Sequence, residues 1–328
     1  MKPSRVAEVL GGLLDTRWPA FVWGAPGVGK SSVVRAVAEA RGLALVDVRA
    51  PLLDPTDLRG LPYFRDGVAA WAPPSFLPSD RDSAGVLFFD ELNAAPPLVQ
   101  ASLYQLTLDR RVGEYELPAG WRVIAAGNRA EDAAVVFRMP SALANRFVHL
   151  DFEVDLEDWI GWAAQAGIHP LVQAFLRLRR ELLLDTRNMD RGFPTPRSWE
   201  MASDATKRFG GAKAALDVLV GIVGEGAAME FAGFADRSLR AERVEAILAD
   251  PDRAILPSDL GDLYALIAHV GARCGEDATL RSAGRLLGRL APELGASRPS
   301  SLPADLSVAS SPTRTGRSCP ATSATSTR

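Results

Sequence analysis

The sequence predicts an α/β fold, a mainly parallel five-stranded sheet covered by helices and followed by a smaller all-helical domain. Three observations carry this expectation. Short apolar runs alternate with helical patterns through the first half of the chain, the signature of strands joined by crossover helices. The run GVLFFDE at 85–91 is apolar up to its acidic end, as a strand buried on both faces must be. From Asp155 onward, apolar residues recur at helical spacing.

The elements follow in order. MKPSRVAEVLGGLLDTRW reads as an amphipathic helix with Ser4 as N-cap; its scattered charges leave no apolar stretch for a signal peptide. AFVWG (20–24) is a strand running into a Gly-rich turn, and residues 31–41 form a helix closed by Gly42. LALVDVR (43–49) is the second strand and GVLFFDE the third. Pro96 and Pro97 open a helix to about Arg110, and WRVIAAGN (121–128) and RFVHLDF (146–152) complete the sheet. Two hairpins interrupt the alternation. YFRDGVAAW (63–71) turns at Asp66–Gly67, a strong two-residue hairpin signal, and RRVGEYELP (110–118) turns around Gly113. The expected division is a sheet domain over 1–153, with inserts at about 54–80 and 109–120, a helical lid over 154–295, and a Ser/Thr/Pro/Arg-rich tail over 296–328. The tail has too little apolar surface to order itself.

Composition bounds the function. A chain of 328 residues suffices for two domains. Its net charge of −3 offers no basic excess for nucleic acid as a main partner. Cys274 and Cys319 lie far apart, which argues against a disulfide scaffold or zinc site and fits a reducing compartment. The most apolar later stretch, near 214–235, is interrupted by Asp217, Glu225 and Glu230 and is too polar to span a bilayer. Together these predict a cytoplasmic protein.

The segment GAPGVGKS at 24–31 matches G-x-x-x-x-G-K-[ST] in full. Its glycines allow a tight loop whose backbone N–H groups face one anion, and the following helix adds its positive end. Gly24, Ala25, Pro26, Gly27, Val28, Gly29, Lys30, Ser31 and Ser32 are the candidate nucleotide-binding set. Lys30 would reach the β- and γ-phosphates and the Ser31 hydroxyl would hold Mg2+. Asp90 and Glu91 end the third strand, where carboxyl ends of parallel strands line a ligand crevice. Asp90 can hold Mg2+, directly or through water, and Glu91 can activate the attacking water. ATP is favoured over GTP because no N-K-x-D base-reading motif follows the third strand.

At this point the chain resembles an AAA+ ATPase, with inserts similar to those of the MoxR branch, close to the dynein-related type of AAA domain. Five motifs stand in the family's order: GAPGVGKS as Walker A, VLFFDELN as Walker B, VIAAGN as sensor 1, SALANRF as the arginine-finger region and PTPRSWE as sensor 2. The resemblance covers roughly residues 1–205, including an insert like DPTDLRGLPYF. It implies that Asn128 helps place the lytic water, that Arg146 reaches the γ-phosphate of a neighbouring subunit, and that Arg197 contacts it from the lid. Each has a plainer alternative: an Asx turn for Asn128, a surface arginine for Arg146 and a structural ion pair for Arg197. The resemblance further implies a ring of copies, usually a hexamer, acting with a von Willebrand factor A-domain protein in remodelling or assembly.

Two other functions compete with it. One is a nucleic-acid-linked motor subunit of clamp-loader or restriction type, which the charge balance disfavours. The other is a non-hydrolysing switch, which would be expected to lack Glu91. Tyr63, Phe64 and Trp71 on the first hairpin either face a pore or partner or pack the insert's own core. Trp159 and Trp162 are expected in the lid core, and His149 and His169 in structural roles.

Overall fold

The computed structural model describes residues 1–132, 137–237 and 241–272, with isolated positions up to residue 289. The expected tail and both cysteines lie outside the described residues. The chain begins with α1 (Pro3–Leu13) and enters the sheet at β1 (Ala20–Trp23), followed by α2 (Lys30–Ala40) and β2 (Ala44–Arg49). A short α3 (Pro55–Arg59) leads into the hairpin of β3 (Leu61–Arg65) and β4 (Val68–Ala72). Then come β5 (Ala84–Asp90), α4 (Pro97–Asp109), the small hairpin of β6 (Arg111–Val112) and β7 (Tyr115–Glu116), and β8 (Gly120–Gly127). A single turn, α5 (Ser141–Ala144), precedes β9 (Val148–Asp151).

Five strands form one sheet in the order β2-β5-β8-β1-β9, and every described pairing within it is parallel. The two-residue period of a strand splits its apolar residues between two cores. Phe21, Leu87, Phe89, Val123 and Ala125 pack one face with α4 and the inserts. Val22, Val86, Phe88, Ile124 and Ala126 pack the other with α1 and α2. Asp90 continues the Val86–Phe88 alternation and so falls on the α2 face, toward the loop that follows β1.

The helical region comprises α6 (Leu156–Gln165), α7 (Pro170–Leu178), α8 (Pro196–Arg208), α9 (Leu216–Val223), α10 (Glu225–Arg237), α11 (Ala241–Ala249) and α12 (Leu260–Ala272). Its core holds Phe175, Trp199, Phe231 and Phe234, with Phe175 at 5.3–5.6 Å from the other three rings. The pattern read as one helix from Pro170 is broken: α7 stops at Leu178 and a 3-10 turn takes over at Arg180–Leu183. No helix among the described residues is long and apolar enough to cross a membrane.

Two expectations are corrected and one open alternative is decided. Lys2, not Ser4, is the N-cap of α1, because Pro3 takes the first helical position, where its fixed φ fits and its missing N–H costs nothing. The Ser4 N–H instead donates to Asp158 Oδ2 at 2.7 Å, tying α1 to α6. Tyr63 and Phe64 do not pack the insert's own core: all of β3 is exposed, and only Trp71 is covered, by the Arg59 guanidinium at 4.5 Å. Trp162 is 42% exposed, whereas Trp159 is buried as expected.

Candidate functional site

The loop between β1 and α2 is shaped by glycine at two positions. Gly27 and Gly29 have φ of 75° and 102°, in the left-handed region that side chains rarely adopt. At Gly27 a Cβ would also lie 2.9 Å from Thr195 Oγ1, so the loop passes close under the start of α8. No side chain caps α2. Its first N–H groups therefore face the loop with the positive end of the helix behind them, which suits a phosphate.

Lys30 is buried, with its ammonium donating to the Gly24 and Ala25 carbonyls at 2.7 and 2.9 Å and to Asn128 Oδ1 at 2.9 Å. Burial lowers its pKa to about 8; the carboxylates of Asp90, Asp132 and Glu91 oppose the shift and the Arg197 charge adds to it. A phosphate chain laid on the loop would supply the countercharge that this lysine lacks.

Asp90 ends β5 and is 3% exposed. Its Oδ2 accepts from Ser31 Oγ at 2.6 Å and from the Arg49 guanidinium at 2.6 Å, while Oδ1 accepts the Glu91 N–H at 2.9 Å. Ser31 Oγ and Asp90 thus form a paired set of hard oxygen donors beside the phosphate loop, which fits Mg2+. Glu91 takes φ 56°, a left-handed backbone for a non-glycine residue, and its exposed carboxylate has no hydrogen-bond or ion-pair partner among the described residues. The kink lifts Glu91 off the strand line, and strain of this kind concentrates at functional positions.

Asn128 follows β8, beside β1 and β5 in the sheet. It is fixed by a residue the sequence reading passed over. Asn93 donates from Nδ2 to the Asn128 carbonyl at 2.7 Å and accepts the Asn128 N–H on Oδ1 at 3.2 Å. Gly127 makes room for this, since a Cβ there would lie 2.2 Å from Asn93 Oδ1. The visible signal was the glycine before Asn128 together with an asparagine two residues past the acidic pair.

Arg197 sits at the start of α8, whose N-cap Thr195 exchanges hydrogen bonds with Ser198 in a capping box. The Arg197 N–H donates to the Gly27 carbonyl at 3.2 Å, so the helical region rests directly on the loop. Its side chain lines a cleft of about 240 Å³ with Gly29, Val28, Trp159 and Trp162. The cleft has the apolar walls and polar ends that a heteroaromatic ring carrying phosphates requires. Arg146 is exposed and makes no side-chain hydrogen bond or ion pair among the described residues. Arg49, Asn93, Asp132 and Thr195 are the residues of this region that motif reading missed.

The rings of His149 and His169 are both engaged by hydrogen bonds within the fold. Trp23 Nε1 donates to His149 Nδ1 at 2.8 Å, leaving Nε2 to meet the Ala144 carbonyl at 2.8 Å. His169 caps α7, its Nδ1 accepting from the Leu171 N–H at 3.2 Å.

A phosphate loop after the first strand, an acidic pair ending the neighbour of the sensor strand and a helical region seated on the loop give this part of the chain an AAA+ fold. Residues 19–147 match the AAA domain of the dynein-related subfamily. Two proteins named MoxR are similar to the chain. That of Methylorubrum extorquens is 30% identical over 192 residues, covering 57% of this chain and 50% of its own length. That of Paracoccus denitrificans is 33% identical over 154 residues, 44% of each. The chain is similar to AAA+ proteins of MoxR type, and it spans about half the length of the curated relatives it matches. Among solved structures, NtrX from Brucella abortus in complex with ATP is 16% identical, with 89% of this chain and 67% of that chain covered at a TM-score of 0.42. A point mutant of Thermotoga maritima RuvB is 17% identical, with 86% of each covered at a TM-score of 0.41.

Proposed function

We propose that the chain binds ATP with Mg2+ at residues 24–32 and hydrolyses it, and that turnover drives a ring of copies that remodels or assembles a protein partner. The observation that carries this reading is the convergence of Lys30, Ser31, Asp90 and Asn128 within hydrogen-bond distance at the carboxyl ends of β1, β5 and β8. Gly24 to Ser32 cradle the phosphates, Lys30 neutralises them, and Ser31 and Asp90 hold the metal, which supplies charge neutralisation at the transferred phosphoryl group. The free Glu91 carboxylate orients and deprotonates the attacking water, with Asn128 beside it. Arg197 follows the nucleotide from the helical region. Arg146, exposed and unpaired among the described residues, serves a neighbouring copy, which is the reason for a ring, usually a hexamer. The MoxR resemblance points to a von Willebrand factor A-domain protein as partner, and the two widely spaced cysteines and the polar interruptions of the apolar stretches favour the cytoplasm as location.

The deciding assay uses Glu91→Gln. It retains ATP, because the loop and metal ligands are untouched, and loses turnover by at least ~100-fold, the usual contribution of a positioned general base. Unchanged hydrolysis in this variant sinks the assignment. In the same assay Arg146→Ala alone is inactive, and mixing it with Glu91→Gln copies restores part of the activity; no recovery on mixing removes the trans role. Mixed with ATP, Glu91→Gln also serves as bait: a captured von Willebrand A-domain protein supports the remodelling role, whereas DNA-stimulated turnover would point to a nucleic-acid motor.

A further inference from the structure

Arg49 stands directly across from Asp90 in the register of β2 and β5. Both side chains fall on the α2 face of the sheet, Arg49 two residues after Asp47, which pairs with Arg35 of α2 at 3.3 Å. The guanidinium donates to Asp90 Oδ2 at 2.6 Å, and that same oxygen accepts from Ser31 Oγ at 2.6 Å. The carboxylate side chain is 5% exposed and the arginine side chain 45%.

Any cation that uses Ser31 and Asp90 has to contend with this pairing. A carboxylate this buried is costly without a countercharge, and Arg49 of the same chain supplies one. Arginine does not deprotonate, so it can relieve repulsion from an arriving dication only by moving. Its outer half is in water, which gives it somewhere to go.

We propose that Arg49 is a positioning residue of the metal site: it holds Asp90 while no metal is bound and competes with Mg2+ for that carboxylate. This deepens the Mg-ATP reading and rests on it. Metal loading then requires the guanidinium to swing away, so the site takes Mg2+ more weakly than Ser31 and Asp90 alone would. The bound triphosphate, by adding negative charge, tips the exchange.

The test measures ATP binding to the full chain by calorimetry, first in EDTA and then across a range of Mg2+ concentrations. Arg49→Gln lowers the Mg2+ concentration needed for half of the effect roughly tenfold, the worth of a charge-assisted hydrogen bond. Its ATP affinity in EDTA is weakened by the lost positive charge, so the deciding readout is the Mg2+ midpoint, not the affinity without metal. Arg49→Lys keeps the charge but not the fork and falls between the two; should the Gln variant fail to fold, this shift decides alone. A purely structural arginine would weaken ATP binding in EDTA and with Mg2+ alike and leave the Mg2+ midpoint where it was; an unchanged Mg2+ requirement or a raised one overturns the proposal. An unaltered protein that binds ATP without any response to Mg2+ would instead remove the metal reading and this inference together.

Discussion

At the strand ends, charged and polar groups are buried and satisfied by one another: Lys30 by two carbonyls and Asn128, Asp90 by Ser31, Arg49 and a backbone N–H. At the centre of the helical region stand four aromatic rings whose one ring N–H, Trp199 Nε1, donates to the Leu182 carbonyl at 2.6 Å. The first arrangement contributes little net stability, since each buried charge offsets most of its attraction with lost hydration. It can be rearranged by a ligand that brings its own charge. The second stabilises by area and shape and has no such alternative. The chain thus places a responsive cluster against a stiff one, joined where the Arg197 N–H meets Gly27.

The largest effect expected from breaking this contrast lies on the stiff side. Trp199 is fully buried, with Phe175 at 5.5 Å and Phe231 at 5.7 Å. Trp199→Ala should cost about 3–5 kcal/mol in urea unfolding followed by circular dichroism, as aromatic truncation in a packed core does. A loss below ~1 kcal/mol would mean that the aromatic centre is not what holds the helices. Because α8 carries Arg197, the same variant should also weaken ATP binding, while leaving the Arg49–Asp90 pair untouched.

On the responsive side the expected effect is a pH dependence. Lys30 has a pKa of about 8 without nucleotide, lowered chiefly by burial. Triphosphate favours the charged form, so binding above pH 8 must draw a proton onto Lys30. ATP affinity should then fall with rising pH, approaching tenfold per unit, as linkage requires when one proton is taken up. The stability of the nucleotide-free protein runs the other way: its Lys30 pKa is below the unfolded value, so its contribution grows as pH rises through 8. Calorimetry in buffers of different ionisation enthalpy measures the proton directly. A flat affinity from pH 7 to about 9.5, with no uptake, would show that the lysine is charged before ATP arrives.

The two regions were not equally legible in the sequence. The loop, the acidic pair and Asn128 each sit at the end of a strand, where local pattern fixes position: a run such as VLFFDE shows both its strand and the residues that leave its end. Arg49 ends a strand too, but its meaning depends on β2 lying next to β5, a pairing that sequence order does not reveal. Asn93 was hidden for a related reason, since its partner is 35 residues away. In the helical region, periodicity found α6 and α8 but ran α7 through Arg179, where φ of −122° and ψ of 66° end the helix. It also assigned both tryptophans to the core, although Trp162 lines the cleft beside the loop. Helical spacing identifies a face without saying what that face meets.

The smallest expected effect tests whether the stiff region has a titrating joint of its own. His169 caps α7 through Nδ1, and its N–H donates to Ser203 Oγ at 2.8 Å, linking α7 to α8. Its pKa is lowered to about 4, first by burial and then by the nearby His269 and Lys207. The unfolded state therefore binds a proton between about pH 6.5 and 4 that the folded state refuses, and stability should fall as pH drops through this window. Protonation also removes the lone pair that holds the Leu171 N–H. The loss should be on the order of 1–2 kcal/mol, after allowance for solvent reaching the ring. His169→Asn supplies an N-cap acceptor that does not titrate. Its urea midpoint should match the unaltered protein at pH 7 and exceed it at pH 4.5; equal midpoints at both values would assign the acid sensitivity of the helical region to other groups.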